Sequence, residues 1–283
     1  MFRQGIVVGG LNSIDRNLDP ETLLMYPPSS RGGMDIVVNG IVRSGAESLV
    51  DLAAPACNSR LYGGGGPGAA FYGATEQCGT SYAAPAVTGL AALVRQAWKA
   101  LGHPNMHDPG HLLANVILMG DGWSATSNTI KASGFDDRSG AGRVHGWSPQ
   151  SMGLFYPPFG WSCHTRTFTS QSQQEFFYVL GTAPLIAEIT LWKGVMVAEE
   201  TDRNNAAHFS MVVANECPQP PGPPVVIASD SSYGTRKRLR LTGPGQIAGK
   251  CLRVTITALH LPTGQTRKVH ACDYFHGGTS TWH

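Results

Sequence analysis

The sequence predicts two regions of different fold class, an α/β region over residues 1–155 and an all-β region over residues 156–283. Strand-like and helix-like stretches alternate in the first region, which is typical of α/β domains with a parallel sheet. Short strand-like runs follow one another in the second region, which is typical of a β-sandwich. With 283 residues, of which 42% are apolar, the chain is long enough to bury a core in each region.

In the first region, strands are expected at residues 6–8 and 48–53, and helices at residues 81–101 and after Pro109. Asp108 can accept a hydrogen bond as the N-cap of the second helix, and Pro109 suits the first helical position because its missing N–H has no partner to lose there. The start of the second helix is therefore predicted more sharply than its end.

In the second region, seven short strands are expected, and together they favour a jelly-roll-like sandwich. They are Phe176–Leu180, Leu185–Trp192, Phe209–Val213, Val225–Ala228, Arg238–Leu241, Leu252–Ala258 and Lys268–Tyr274. A break at residues 156–160 precedes them, and the proline-rich residues 218–224 form a stiff spacer between two of the strands, since proline fixes φ.

Composition excludes several classes of protein. Only 14% of residues are charged and the net charge is +2, so neither a disordered tail nor a nucleic-acid-binding face is expected. In the basic segment 236–240, leucine alternates with arginine as on a half-buried strand. The longest small and apolar run, residues 83–94, is too short to span a membrane and contains proline and glycine. The residues after Met1 do not resemble a signal peptide.

The most informative segment runs from Gly79 to Gly89, with the sequence Gly-Thr-Ser-Tyr-Ala-Ala-Pro-Ala-Val-Thr-Gly. A hydroxyl residue, Ser81, follows a glycine turn and begins a helix of small residues that is expected to pack against a sheet as a mostly buried helix. The free N–H groups and dipole of a helix N-terminus favour negative charge, which an acyl-transfer oxyanion carries. The alternative is an ordinary capping serine.

This segment resembles the active-site serine signature of the subtilase superfamily of serine proteases, Gly-Thr-Ser-x-[Ser/Ala]-x-Pro. Other segments are similar to family elements, namely Ile6–Gly10, Asp51–Pro55 and Gly140–Val144. Residue 56 is alanine where the family usually has glycine. Residues 156–283 are more loosely similar to the β-sandwich that follows many subtilase domains, through Ile189–Trp192, Ala228–Ser232 and Cys251–Thr255.

The resemblance implies that residues 1–155 are the C-terminal part of a subtilisin-like catalytic domain, and that the chain belongs to a secreted serine endopeptidase. Ser81 would attack a polypeptide substrate and form an acyl-enzyme. No cofactor is required for this chemistry, although subtilases often bind structural calcium. The resemblance also implies an extracellular or cell-surface location.

Essential parts of the subtilase machinery are missing from the sequence. Neither the Asp-[Thr/Ser]-Gly motif nor the His-Gly-Thr-x-Val-Ala-Gly motif occurs, the oxyanion asparagine is absent, and all ten histidines follow Ser81. A serine without an adjacent base is a weak nucleophile, so an upstream half-domain would have to supply the aspartate and histidine. The alternative is an inactive fragment or pseudoprotease that binds a protein or glycan.

The spacings of the cysteines and histidines predict one disulfide and no metal site. The six cysteines include no C-x-x-C pair, and only Cys57 with Cys78 is an expected disulfide, because these two bracket one glycine-rich loop, residues 63–68. His103, His107 and His111 would face zinc together only on one helix, and Pro104, Pro109 and Gly110 interrupt such a helix. They are therefore interpreted as loop histidines, and no metal site is predicted.

Overall fold

Strands predominate in the structure, and its larger sheets are antiparallel. The computed structural model describes residues 5–13, 24–38, 41–58, 77–100, 102, 107–144, 161–181, 186–193, 207–215, 224–232, 236–242, 251–275 and 278–282. Several predicted features lie outside the described residues, namely the glycine-rich loop at 63–68, the break at 156–160, residues 218–223 of the proline-rich spacer, and His103.

The first region contains short strands in pairs and two helices. Its elements are β1 (Val8–Leu11), β2 (Gly33–Val38), β3 (Ile41–Ser48), β4 (Leu52–Pro55), β5 (Cys57–Asn58), β6 (Gln77–Cys78), α1 (Thr80–Ala100), α2 (Pro109–Leu118), β7 (Trp123–Ser124) and β8 (Thr129–Ile130). The pairs β2–β3, β5–β6 and β7–β8 are antiparallel, whereas β1 and β4 are parallel.

The parallel pair β1–β4 supports the first helix. Small residues of both strands lie side by side, with Gly10 opposite Ala54. A Cβ atom added at Gly10 would lie 2.6 Å from the Ala56 Cβ and 3.4 Å from the Thr80 side chain, so glycine permits this close approach to the start of α1.

Strands β1 and β4 both begin later in the sequence than predicted. The Asp51 side chain accepts the Val7 N–H at 2.7 Å, in place of a strand partner.

Helix α1 buries one face rather than most of its surface. Its buried residues are Ala83, Val87, Val94 and Trp98, at the spacing of a single helical stripe. It packs against β1 and β4. The expectation of a mostly buried helix is therefore wrong for the described residues, because nothing among them covers the opposite face.

Helix α2 begins where the capping signals predict. The Asp108 carboxylate accepts the Gly110 N–H at 2.8 Å, and Pro109 occupies the first helical position. The helix packs against three strands of the second region, and the Thr190 hydroxyl donates to the Ala114 carbonyl at 2.7 Å.

The second region is a two-sheet antiparallel sandwich. Its strands are β9 (Trp161–Phe168), β10 (Gln174–Gly181), β11 (Ile186–Lys193), β12 (His208–Asn215), β13 (Val225–Asp230), β14 (Arg236–Thr242), β15 (Cys251–His260), β16 (Arg267–Phe275) and β17 (Gly278–Trp282). The sheets have the orders β13-β12-β15-β10-β17 and β14-β11-β16-β9. Each of the seven predicted strands corresponds to one of these, while β9 and β17 were not predicted. Phe168, Phe177 and Phe209 are in the core between the sheets.

Strand β14 joins the two regions. Leu239 and Leu241 are buried, as their alternation predicts, but Arg238 is buried as well. The strand exchanges backbone hydrogen bonds with the first region, where Arg240 N–H donates to the Ala132 carbonyl at 2.8 Å. Arg236 forms an ion pair with Asp51. The Arg240 guanidinium also donates to the Asp121 carbonyl, and that of Arg238 donates to the Lys131 carbonyl at 3.3 Å. These side-chain bonds to the first region compensate for the burial of the charged groups.

Among the described residues, no helix has the length and the hydropathy needed to cross a membrane.

Candidate functional site

Ser81 lies in the first turn of α1, with its side chain exposed. The turn before it is closed by a hydrogen bond from Tyr82 N–H to the Gly79 carbonyl at 3.0 Å. A Cβ atom at Gly79 would lie 3.1 Å from the Ser81 hydroxyl oxygen, so glycine gives the hydroxyl room. The predicted position of Ser81 at a helix start is confirmed.

The start of α1 is held next to the carboxyl ends of the parallel strands β1 and β4. Gly79 N–H donates to the Ala56 carbonyl at 2.8 Å, directly after β4. A disulfide joins Cys57 and Cys78, whose Cα atoms are 4.0 Å apart, and this confirms the predicted pair. Among the described strands only β1 and β4 pair in parallel, so the structure does not show the parallel sheet that was predicted for an α/β domain.

No base accompanies this hydroxyl in the described part of the chain. Neither an imidazole nor a carboxylate among these residues hydrogen-bonds Ser81. His107 is exposed in a turn ahead of α2, and His111 and His270 are buried in a separate cluster. The described residues thus present an exposed hydroxyl at a helix N-terminus without a base that would activate it.

Sequence reasoning missed a second cluster, which forms where α2 meets the sandwich. Asp108 is the N-cap of α2, His111 lies in its first turn, and His270 comes from β16. One ligand atom from each of the three side chains lies within 4.8 Å of the others. The interpretation of His111 as a loop histidine is wrong, because α2 begins before it and packs its ring against the sandwich.

Thr165, on β9, connects the two imidazoles of this cluster. Its Oγ1 lies 2.9 Å from His111 Nε2 and 3.1 Å from His270 Nδ1. Asp108 Oδ1 lies 3.4 Å from His270 Nδ1, and Asp108 Oδ2 lies 4.0 Å from His111 Nδ1. His111 Nδ1 is buried and has no hydrogen-bond partner.

Burial favours the neutral form of both imidazoles. Desolvation lowers the pKa of His111, and the opposing effects of Asp108 and the His164 backbone are smaller. Desolvation also lowers the pKa of His270 to about 4, against the attraction of Asp108 and with added repulsion from His111 and Lys268. Neutral imidazoles keep a lone pair, which is the form that binds metal ions.

The cluster places a hydroxyl, an imidazole and a carboxylate in the order of a nucleophilic triad, through Thr165, His111 and Asp108. The 4.0 Å between the ring and the carboxylate exceeds a hydrogen bond, however, and His111 is 1% exposed. A substrate cannot reach such a site. Two imidazoles and one carboxylate are instead a donor set that suits a transition metal.

No local spacing could have identified this cluster, because His270 is far from His111 in the sequence. A disulfide between Cys163 and Cys272, also not predicted, fixes β9 to β16 beside it. The Cys272 Sγ atom lies 3.5 Å from the His111 carbonyl oxygen.

The chain matches no family model and no curated protein.

Proposed function

We propose that the chain is the C-terminal portion of a subtilase-type serine endopeptidase, with Ser81 as its nucleophile. One observation carries the proposal: the exposed Ser81 hydroxyl lies in the first turn of α1, beside the carboxyl ends of β1 and β4. This placement is what the signature at residues 79–85 requires. The sandwich that follows agrees with the looser resemblance of residues 156–283.

In this mechanism the Ser81 oxygen attacks the carbonyl carbon of a peptide bond while a histidine takes its proton. The negative charge on the tetrahedral intermediate faces the N–H groups at the start of α1, which have no partner within the helix. The C–N bond then breaks, the proton passes to the leaving amine, and an ester on Ser81 remains. Water hydrolyses this ester in the reverse sequence of proton transfers.

The aspartate and histidine of the triad are proposed to come from a polypeptide segment outside this sequence. The exposed face of α1 supports a further packing partner, because the part of it before Arg95 consists mostly of small and apolar side chains such as Ala84, Pro85 and Ala92. Leu93 on this face is 56% exposed. Water-exposed apolar surface of this kind is typical of a face that another part of a protein covers.

An oxidising, extracellular location is part of the proposal. Two disulfides are formed among the described residues, and disulfides persist mainly in oxidising compartments. The chemistry itself needs no cofactor. A structural calcium ion is proposed on the family resemblance alone.

Labelling with a fluorophosphonate probe tests the proposal, since the probe reacts only with an activated serine. The chain alone should not be labelled, whereas the chain combined with a subtilase segment carrying the aspartate and histidine should be. Ser81→Ala should abolish labelling, and the matched variant of an exposed serine, Ser127→Ala, should not. Such motifs in frame upstream of Met1 would identify the segment to use.

Two outcomes would contradict the proposal. Strong labelling of the chain alone would mean that one of its own histidines is the base. Absence of labelling in the combined protein would favour the pseudoprotease alternative, a module that binds a protein or glycan.

A further inference from the structure

We propose that Asp108, His111 and His270 bind a transition-metal ion, with Zn²⁺ the best fit, where α2 packs on β16. This site is separate from Ser81 and does not depend on the proposed protease function. It would connect the first region to the sandwich through metal coordination.

The distances between the donor atoms of the three side chains suit a zinc ion. Zinc binds histidine nitrogen and carboxylate oxygen at about 2.0–2.2 Å, so tetrahedral ligands lie about 3.3–3.5 Å from each other. The 3.4 Å between Asp108 Oδ1 and His270 Nδ1 already has this value. With one donor atom from each side chain, all three atoms lie within 4.8 Å of one another, so the widest separation needs a contraction of up to about 1.4 Å, which side-chain rotation can supply.

A second observation is the unpaired nitrogen of His111. Its ring is 1% exposed, and its Nδ1 has no hydrogen-bond partner although it points toward the carboxylate of Asp108. A buried polar atom without a partner is costly and needs an explanation. A metal ion bound to Nδ1 would supply the missing partner.

Thr165 is placed to hold the tautomer that metal binding requires. Its Oγ1 lies 2.9 Å from His111 Nε2 and can accept the N–H of that nitrogen, which leaves the lone pair on Nδ1 for the ion. The same hydroxyl lies 3.1 Å from His270 Nδ1, and this contact must give way when that nitrogen binds the ion. Metal-binding histidines usually donate their other N–H to such an outer partner. Thr165 is therefore a positioning residue and not a ligand.

The chemistry of the donors selects the class of ion. Two imidazoles with one carboxylate favour zinc, cobalt or nickel over calcium or magnesium, which prefer oxygen ligands. The Asp108 side chain is 31% exposed, so water can reach the fourth coordination position. Only one carboxylate faces the ion, and Lys268 adds positive charge nearby, so we expect micromolar rather than nanomolar affinity.

The test is a titration of the metal-free, disulfide-intact chain with ZnCl₂ by calorimetry, repeated with CoCl₂ and followed by visible absorption. We expect one ion per chain and the d–d bands of tetrahedral cobalt. Asp108→Asn should weaken zinc binding at least tenfold and still fold, because asparagine also caps helices. His270→Gln should weaken it at least 100-fold, and Thr165→Val by 10- to 100-fold.

His107→Ala is the matched control, because His107 is exposed and lies one residue before Asp108; its zinc affinity should equal that of the unmodified chain. Circular dichroism establishes which variants fold. Zinc binding weaker than about 1 mM in the unmodified chain, or octahedral cobalt spectra, would overturn the proposal. Equal affinities of the unmodified chain and a folded Asp108→Asn variant would overturn it too.

Discussion

Helix α1 begins with an exposed hydroxyl, whereas helix α2 begins with a carboxylate and a buried imidazole. Ser81 is exposed to solvent but has no base among the described residues, while His111 has polar groups near its ring but is buried. Each start lies beside a disulfide, Cys57–Cys78 for α1 and Cys163–Cys272 for α2. The difference shows that a helix N-terminus can expose a polar group to solvent or bury it in a cluster, depending on what packs over it.

The largest expected effect concerns the exposed start. In the combined protein, Ser81→Ala should lower peptide hydrolysis toward background, because loss of this nucleophile in subtilisin costs on the order of 10⁶ in turnover. The measurement is the initial rate of hydrolysis of a peptide substrate. Asp108→Asn, at the start of α2, is the control variant and should keep the rate of the unmodified protein. A large loss of hydrolysis rate in Asp108→Asn would mean that the N-termini of α1 and α2 contribute to one function.

The next effect compares the two disulfides. Loop closure predicts that Cys163–Cys272, with a sequence separation of 109, stabilises the fold by about 5 kcal/mol, and that Cys57–Cys78, with a separation of 21, contributes about 3 kcal/mol. Urea unfolding of the double variants Cys163→Ser/Cys272→Ser and Cys57→Ser/Cys78→Ser gives both values. A greater loss of unfolding free energy in Cys57→Ser/Cys78→Ser than in Cys163→Ser/Cys272→Ser would refute this ranking.

A glycine in each helix gives a matched pair of substitutions. A Cβ atom at Gly110 of α2 would lie 2.3 Å from the His270 ring, so Gly110→Ala should destabilise by about 1–3 kcal/mol through overpacking. No atom lies within 4 Å of a Cβ at Gly89 of α1, so Gly89→Ala should stabilise by about 0.5–1 kcal/mol. Thermal unfolding distinguishes the two variants. Equal changes in stability would mean that α2 and β16 are not closely packed at Gly110.

The smallest effect is acid destabilisation at Asp136, outside both helix starts. Burial alone would raise the pKa of Asp136, but hydrogen bonds from Ser124, Ser139, Arg138 and Thr126 outweigh it and hold the pKa below its usual value. Its folded-state pKa is depressed, so its stabilisation is present above pH 4 and is lost as the pH falls below that.

Unfolding free energies measured from pH 6 to pH 3 should therefore decrease more in the unmodified chain than in Asp136→Asn. Parallel curves for the two proteins would show that the hydrogen bonds do not favour the charged carboxylate.

Local signals account for what the sequence predicted. The turn and small residues around Ser81 identify the start of α1, Asp108 and Pro109 identify the start of α2, and alternating apolar residues identify seven strands of the sandwich. These features depend on neighbours in the sequence, where propensity and periodicity act.

The missed features depend on residues far apart in the sequence. His111 meets His270 only after α2 packs on β16, and Cys163 meets Cys272 through strand pairing. Strand β9 was missed because its polar residues, among them His164 and Arg166, weaken its alternation. The exposed face of α1 could not be predicted either, since its small residues suit burial and exposure equally.

The arginines of β14 limit which sandwich domains could replace the one in this protein. Because Arg236 pairs with Asp51 and the Arg240 guanidinium donates to the Asp121 carbonyl, the side chains of β14 fit a surface that the first region supplies. A foreign sandwich grafted after residue 155 would leave that surface unmatched. The two regions are thus expected to be inherited together, with Asp51 and the β14 arginines varying as one set.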